Sequence, residues 1–328
     1  MKFITQMCEV CSKHPASGFN YGACVCNSCK MFFRRVILRK NITDCENEGV
    51  CISKCRPCRF QKCLQAGMTF NPYSPGSDLH NNEVILFAII NNLQHIDNHR
   101  EKLFNNYLFN GDPSFTEVLR NLDFEEKPSD LNYTYKDWGF INGITGIDFL
   151  MKISFVKKVE LPDQIVVIKN IFIQFNIFSI AHSCYTTKLS RLSFPNGSEI
   201  PEPNIYGVSD NLRIRIQGRL LARLIELKVS KQEFLLVSVL LLCDPCATNI
   251  SDHGKILITS QQKYYASALL QHCLINYQKS GPSRFTDLLF LHQAIFSTID
   301  DLKAHYQLCQ FYQTSDRLHT KKIFLCID

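Results

Sequence analysis

The sequence has no uninterrupted hydrophobic run that is long enough to predict a membrane-spanning helix. The run at 165–181 is interrupted by Lys169, Asn170, Gln174 and Asn176, and the run at 234–243 is only ten residues long. A helix that crosses a bilayer needs about 20 predominantly apolar residues. Residues 1–10 also lack the apolar segment of a signal peptide. These absences predict an intracellular protein without a membrane partner.

Catalytic patterns are also missing from the sequence. The ten histidines are scattered without metal-ligand spacing, and no arrangement of a nucleophile with a base stands out. We therefore expect that the protein is not an enzyme and has no catalytic residues.

Positive charge is concentrated in one part of the chain. Residues 1–68 contain eleven Lys and Arg against four Asp and Glu, whereas the remaining residues contain twenty-five against twenty-six. A small basic domain is typical of proteins that bind nucleic acid, because neutralised phosphates release their counterions. The length of 328 residues favours two domains.

Cysteine is abundant in the same basic segment, which holds ten of the sixteen cysteines. In a reducing compartment, C-x2-C pairs indicate zinc more than disulfides. Two pairs complete one tetrahedral zinc site with sulfur about 2.3 Å from the metal, so eight such thiols supply two sites. The eight candidate ligands are Cys8, Cys11, Cys26, Cys29, Cys45, Cys51, Cys55 and Cys58. We expect Cys24 and Cys63 to pack rather than to bind metal.

The segment 26–40 predicts an amphipathic basic helix. At helical spacing, one face carries Asn27, Lys30, Met31 and Arg34, and the other carries Phe32, Phe33 and Val36. A helix that reads the major groove needs donors on one face and apolar anchors on the other. The alternative from these residues alone is a solvated basic helix.

Three cysteine-rich motifs carry a specific resemblance over residues 8–68. They are the first Cys-x2-Cys followed by Tyr21-Gly22, then Cys-x2-Cys-Lys-x-Phe-Phe-Arg-Arg, and then Cys-Arg-x-Cys-Arg-Phe-x-Lys-Cys-x3-Gly-Met. This segment resembles the DNA-binding domain of nuclear hormone receptors, in particular the divergent receptors of nematodes. A zinc-ring ubiquitin ligase fits less well, because its ligand pairs interleave and usually include histidine.

The resemblance implies roles for individual residues. It assigns the first zinc ion to Cys8, Cys11, Cys26 and Cys29 and the second to Cys45, Cys51, Cys55 and Cys58. It implies base contacts by Lys30 and Arg35, and phosphate contacts by Arg34 and Arg59. It places Asn27, Ser28 and Met31 at the positions that discriminate between DNA sequences.

Two departures from the family pattern concern the end of the zinc module. Only three residues separate Cys51 from Cys55, a shorter and less basic loop than the family has. Residues 69–82 contain no Lys or Arg, so a basic extension is absent. These departures support a second hypothesis, in which the protein is a receptor-like transcriptional cofactor that binds DNA weakly and acts through its helical domain.

The rest of the chain predicts a mostly helical domain. Ser230 and Glu233 have the spacing of a capping box before an apolar run, and 194–197 predicts a turn. Further helical patterns cover about 256–278 and 283–312. The motif that begins at Phe155 and includes Asp163 and Gln164 resembles the signature of the receptor ligand-binding domain.

Together these features predict a small zinc-stabilised α module with two four-cysteine sites followed by a mostly helical domain, for which the resemblance implies an all-α three-layer helical sandwich. The expected boundaries are an N-terminal tail at 1–7, the DNA-binding domain at 8–68, a hinge linker at 69–80 and the ligand-binding domain at 81–328. The resemblance implies a nuclear, zinc-dependent transcription factor. Its implied partners are double-stranded DNA, a small lipophilic ligand, coregulators and a homo- or heterodimer partner. No ligand-contacting residue is assigned.

Overall fold

The computed structural model describes residues 7–21, 23–39, 55–68, 79–120, 122–202, 209–244 and 247–312. By its internal contacts the chain divides into two compact units, residues 1–95 and 96–328. The predicted hinge at 69–80 lies outside the described residues except for Leu79 and His80. The same holds for the predicted zinc ligands Cys45 and Cys51 and for the C-terminal segment 313–328.

The first unit contains a small hairpin and two crossing helices. Strands β1 (Phe19–Asn20) and β2 (Ala23–Cys24) pair in antiparallel fashion. Tyr21 in the connecting loop has a φ of +58°, the left-handed geometry that tight hairpin turns require. Helices α1 (Asn27–Arg39) and α2 (Arg56–Gln65) follow.

An aromatic core holds α1 against α2. The rings of Phe33 and Phe60 are stacked with their centroids 5.7 Å apart, and Tyr21 packs on Phe33 at 5.3 Å. Phe32, Phe33 and Val36 are all buried, so the apolar face predicted for this helix is confirmed. Such a small core leaves much of the folding energy to bound metal.

The end of α2 is closed by a glycine turn. Gly67 has a φ of +79°, and the N–H of Met68 donates to the carbonyl of Cys63 at 2.9 Å. This is the Schellman arrangement that ends many helices. It buries Met68 completely in the apolar cluster of the zinc module.

Helix α3 (Leu79–Asn106) contains the division between the two units. In its first part, Ala88 belongs to the apolar cluster of the zinc module. Gln61 Nε2 of α2 donates to Asn92 Oδ1 at 2.7 Å. This part of α3 therefore belongs to the fold of the first unit.

The second unit is built almost entirely of helices, as predicted. A short antiparallel pair, β3 (Tyr107–Leu108) with β4 (Glu125–Glu126), lies near its start. Single 3-10 turns occur at Val156–Lys158 and Gln278–Ser280. The helices are α4 (Phe115–Arg120), α5 (Tyr135–Lys152), α6 (Leu161–Thr186), α7 (Asp210–Leu227), α8 (Lys231–Leu242), α9 (Asp252–Tyr277), α10 (Gly281–Leu289) and α11 (Leu291–Tyr312).

Helix α6 is the centre of the second unit. It packs against α5, α7, α8 and α11, as the middle layer of a helical sandwich does. Phe175 stacks on Phe149 with centroids 4.6 Å apart, and Phe178 packs on Phe234 at 4.9 Å. By length and composition alone α6 could cross a membrane, but 61% of its apolar window is buried inside the protein. A helix that is apolar nearly all round is typical of such a core.

Local signals in the sequence fix several element ends. The capping box predicted at Ser230 and Glu233 is present, and α8 begins directly after Ser230. The predicted turn is also confirmed: Gly197 has a φ of +85° and donates its N–H to the carbonyl of Phe194 at 2.9 Å. The pattern expected to be one helix over 283–312 is instead split at Phe290 into α10 and α11.

The motif that contains Asp163 joins two helices. Asp163 lies in the first turn of α6 and is buried. Its carboxylate accepts hydrogen bonds from the N–H of Ser251 at 3.0 Å and from Ser251 Oγ at 2.5 Å. Ser251 is the N-cap of α9, so Asp163 fixes the start of α9 against α6.

Candidate metal centre and nucleic-acid interface

A tight turn at the start of the first unit presents Cys8 and Cys11 on one side. Cys8 donates its N–H to the carbonyl of His14 at 2.9 Å, and Ser12 donates to the carbonyl of Cys8 at 2.8 Å. Ser12 has a φ of +51°, which reverses the chain directly after Cys11. The second pair, Cys26 and Cys29, lies at the start of α1.

The four thiols of these pairs converge. All four Sγ atoms lie within 4.8 Å of one another, and Cys11 Sγ is 3.9 Å from Cys26 Sγ. A tetrahedral zinc ion with Zn–S bonds of about 2.3 Å sets its sulfurs about 3.8 Å apart. The geometry and the soft, all-sulfur donor set therefore fit Zn²⁺, and this cluster is a four-cysteine zinc site.

The second predicted site is described only in part. Cys55 directly precedes α2 and Cys58 lies in its first turn, and both are half-buried. Their expected partners, Cys45 and Cys51, fall in 40–54, which the structure does not describe. Within the described ranges, only the first predicted set of cysteines brings three or more metal-binding side chains together. The second site therefore stays a prediction.

Cys63 belongs to the apolar core of the module. It has no exposed surface and lies in the same buried cluster as Phe33 and Phe60. Burial raises the pKa of the Cys63 thiol to about 12, so this side chain stays a neutral thiol at physiological pH. The packing role expected for Cys63 is what the structure shows.

Helix α1 turns its polar face outward. Asn27, Ser28, Met31, Arg34 and Arg35 are exposed, and Lys30 is half-buried. Phe32, Phe33 and Val36 face the opposite way into the core. The structure thus brings all predicted contact residues of α1 onto the solvent side of one helix.

Two hydrogen bonds organise this polar face. Ser17 Oγ donates to Asn27 Oδ1 at 3.1 Å, which holds the first side chain of α1. Arg35 Nε donates back to the carbonyl of Met31 at 3.2 Å. The α1 sequence contains no acidic residue in its first turn, so the face is suited to a polyanion.

Arg59 of α2 reaches across to α1. Its Nη2 donates to Ser28 Oγ at 3.1 Å and to Cys29 Sγ at 3.4 Å. Its guanidinium carbon lies 4.4 Å from the centroid of the Phe32 ring, within the range of a cation–π contact. The resemblance implied a phosphate contact for Arg59, and the sequence gave no signal for its contact with a zinc ligand, because the partners are 30 residues apart.

Two sequence models of known families match separate parts of the chain. The model described as "Double treble clef zinc finger, C4 type" matches residues 6–70. The model described as "Ligand-binding domain of nuclear hormone receptor" matches residues 138–312. The first match contains the four-thiol cluster, and the second contains most of the helical unit.

Whole-chain similarity agrees with both matches. The Caenorhabditis elegans proteins named nuclear hormone receptor family members nhr-167 and nhr-27 are each 36% identical to this chain over 331 residues. The alignments cover 97% of this chain in both cases, and 96% and 91% of those proteins respectively. The family member nhr-9 from the same organism is 33% identical, with 92% of this chain covered and 90% of that protein.

Proposed function

The chain belongs to the nuclear hormone receptor family, and we propose that it binds specific DNA sequences in the nucleus through a two-zinc module. The family combines a zinc-built DNA-binding domain with a ligand-binding domain, so the protein is a transcription factor of the nuclear receptor type. The finer proposals concern its contacts with DNA, its zinc count and its regulation.

One observation carries the DNA-binding proposal. The four-thiol cluster lies at the start of α1, and the exposed face of that helix carries polar and basic side chains above a buried aromatic core. Zinc fixes the N-terminal end of α1, and Phe33 with Phe60 fixes its orientation on α2. A helix held in this way can enter the major groove with its exposed face toward the bases.

The proposed DNA contacts are of two kinds, those that read the base sequence and those that add affinity alone. Lys30 and Arg35 donate to base edges, where each well-formed pair discriminates by about 1–3 kcal/mol. Arg34 and Arg59 contact phosphates, which adds affinity without sequence preference. The discriminating positions of α1 are Asn27, Ser28 and Met31.

We propose two zinc ions per chain, the second held by Cys45, Cys51, Cys55 and Cys58. The support is the half-buried pair Cys55 and Cys58 at the start of α2. Metal analysis of the full chain should give two equivalents, and Cys55→Ser should lose one. Cys24→Ser, which changes a half-buried thiol outside both sets, is the control and should keep both.

The helical unit is proposed to regulate transcription by binding coregulators and a second receptor subunit, in response to a small lipophilic ligand. The support is the match of residues 138–312 to receptor ligand-binding domains. A helix in a groove is the recognition mode expected for a coregulator.

A second candidate function is favoured by one feature of the sequence. Only three residues lie between Cys51 and Cys55, so phosphate contacts expected from a longer basic loop are absent. Such a shortened loop would suit a receptor-like cofactor that binds DNA weakly and acts through the helical unit.

Selection from a random duplex library separates the two candidates. The zinc-loaded full-length protein is expected to enrich a short common sequence over successive rounds. If the zinc-loaded protein enriches no sequence while retaining its zinc, the DNA-binding proposal is wrong and the cofactor candidate is favoured.

A further inference from the structure

The guanidinium of Arg59 is held in one orientation by three neighbours. It donates to Ser28 Oγ at 3.1 Å and to Cys29 Sγ at 3.4 Å, and it lies over the Phe32 ring at 4.4 Å. All three neighbours belong to the first two turns of α1. The planar, fork-shaped guanidinium suits such a combination of hydrogen bonding and stacking, which the flexible ammonium of lysine cannot reproduce.

The negative charge of the zinc site makes the contact between Arg59 and Cys29 favourable. A zinc ion bound by four thiolates leaves the cluster with net negative charge, and three of these four cysteines are buried. An N–H donor from a cation stabilises a thiolate more than a neutral donor does. Lys62, another basic residue of α2, is exposed and is not next to a proposed zinc ligand, so it serves as the comparison.

We propose that Arg59 is a positioning residue of the first zinc site, which retains the metal through Cys29 and fixes the first turn of α1 through Ser28. This role rests on the proposed zinc-dependent DNA binding and is separate from a contact with phosphate. Partners of metal ligands commonly change metal affinity by about 10–100-fold when they are removed. Loss of Arg59 should therefore weaken zinc retention even when no DNA is present.

The test measures zinc loss from the full-length protein to an excess of a chromophoric chelator. Arg59→Met keeps a chain of similar length over Phe32 and removes the charge and both donors. It should release one zinc equivalent about 10–100-fold faster than the wild type. Arg59→Lys, which keeps the charge but loses the planar fork of donors, should be intermediate, and the matched control Lys62→Met should release zinc at the wild-type rate.

A spectroscopic measurement separates this role from a loss of packing. With Co²⁺ in place of zinc, the sulfur-to-metal charge-transfer band reports the electron density on the thiolates. Removing an N–H donor from Cys29 raises the energy of the sulfur lone pairs. The band of Arg59→Met should therefore move to lower energy, whereas that of Lys62→Met should not move.

The outcomes separate this inference from the proposed function. If the wild-type chain binds no zinc, the proposed function itself is wrong. If the wild type binds zinc and Arg59→Met releases it at the same rate without a spectral change, Arg59 does not position the site. If Arg59→Met does not fold with zinc, Arg59→Lys decides the matter, and a wild-type rate in that variant overturns the proposal.

Discussion

Arg284 and Glu233 form a bidentate ion pair inside the helical unit. Arg284 Nε and Nη2 each donate to one carboxylate oxygen of Glu233 at 2.7 Å, and Nη1 donates to the carbonyl of Leu227 at 2.6 Å. Burial alone would raise the pKa of Glu233, but hydrogen bonds from Arg284 and Ser230 outweigh it, so this pKa lies below its ordinary value. The pair joins the end of α7, the start of α8 and α10.

Removing one partner of this pair should destabilise the helical unit strongly. Arg284→Met leaves the buried carboxylate of Glu233 without its counter-charge, which typically costs about 3–5 kcal/mol. The sole tryptophan of the chain, Trp138, lies in this unit, so its fluorescence during urea unfolding measures the effect. The control is the half-buried Arg223, which forms an i,i+3 ion pair with the exposed Glu226, and Arg223→Met should cost at most about 1 kcal/mol.

The double variant Glu233→Gln with Arg284→Met sharpens this prediction. Glutamine keeps the capping box of α8 and leaves no buried charge. The double variant should therefore be more stable than Arg284→Met alone. Equal or lower stability of the double variant would show that the unpaired charge is not the source of the loss.

His182 should make the helical unit sensitive to mild acid. Its ring is buried and stacked on Phe234 with centroids 4.2 Å apart. Burial, followed by the positive charges of Lys231 and Arg100 and opposed by Asp97, lowers the pKa of His182 to about 4. The unfolded chain binds a proton near pH 6.5, whereas the folded protein excludes it until the pH falls further.

The contribution of His182 to stability is therefore complete above about pH 6.5 and is lost as the pH falls toward 4, by up to about 3 kcal/mol. His182→Phe keeps the stacking partner of Phe234 but cannot be protonated. Between pH 7 and 4.5, the free energy of unfolding of the wild type should fall by more than that of His182→Phe. Parallel curves would show that His182 does not titrate in this way.

Gly254 should not tolerate a methyl group. A Cβ at this position would lie 2.3 Å from Asp163 Oδ2 and 2.7 Å from Ile250 Cγ2, so alanine must displace the carboxylate that holds Ser251. Gly254→Ala should lower the free energy of unfolding despite the higher helix propensity of alanine. Gly218 in α7 has open space around it, and Gly218→Ala should stabilise by about 0.5–1 kcal/mol. If both variants are stabilised, the contact between α6 and α9 is less rigid than the structure indicates.

The exposed residues of α1 should separate specificity from affinity. Lys30→Ala should reduce the preference for the selected DNA element over a scrambled duplex, by about 1–3 kcal/mol. Arg34→Ala should weaken both complexes equally and reduce the slope of log K against log salt by about 0.9. Fluorescence anisotropy at several salt concentrations measures both quantities. Equal losses on both duplexes for Lys30→Ala would contradict its role as a base contact.

The sequence was sufficient to predict those features of the fold whose signals lie close together along the chain. Ser230 and Glu233 predict the start of α8, Gly197 predicts a turn, and the alternation of basic and aromatic residues predicts both faces of α1. Each of these depends on side chains within one or two helical turns, where backbone geometry alone decides which residues meet.

Long-range partners could not be predicted in this way. Arg59 meets Cys29 from 30 residues away, Arg284 meets Glu233 from 51, and Asp163 meets Ser251 from 88. Which helices cross, and at which turn, depends on packing of the whole core. The break at Phe290 was missed for a related reason, because apolar residues continue on both sides of it and no Pro or Gly marks it.

The central claim is that zinc builds a sequence-specific DNA-binding surface. The ratio of the affinities for two DNA duplexes tests this claim most directly. Affinities of the full-length protein for the selected element and for a scrambled duplex are measured at one salt concentration, with zinc, after chelation and after zinc is restored. The zinc-loaded protein should prefer the element by at least about 10³-fold, lose this preference on chelation and regain it with zinc. Equal affinity of the zinc-loaded protein for both duplexes would contradict the account.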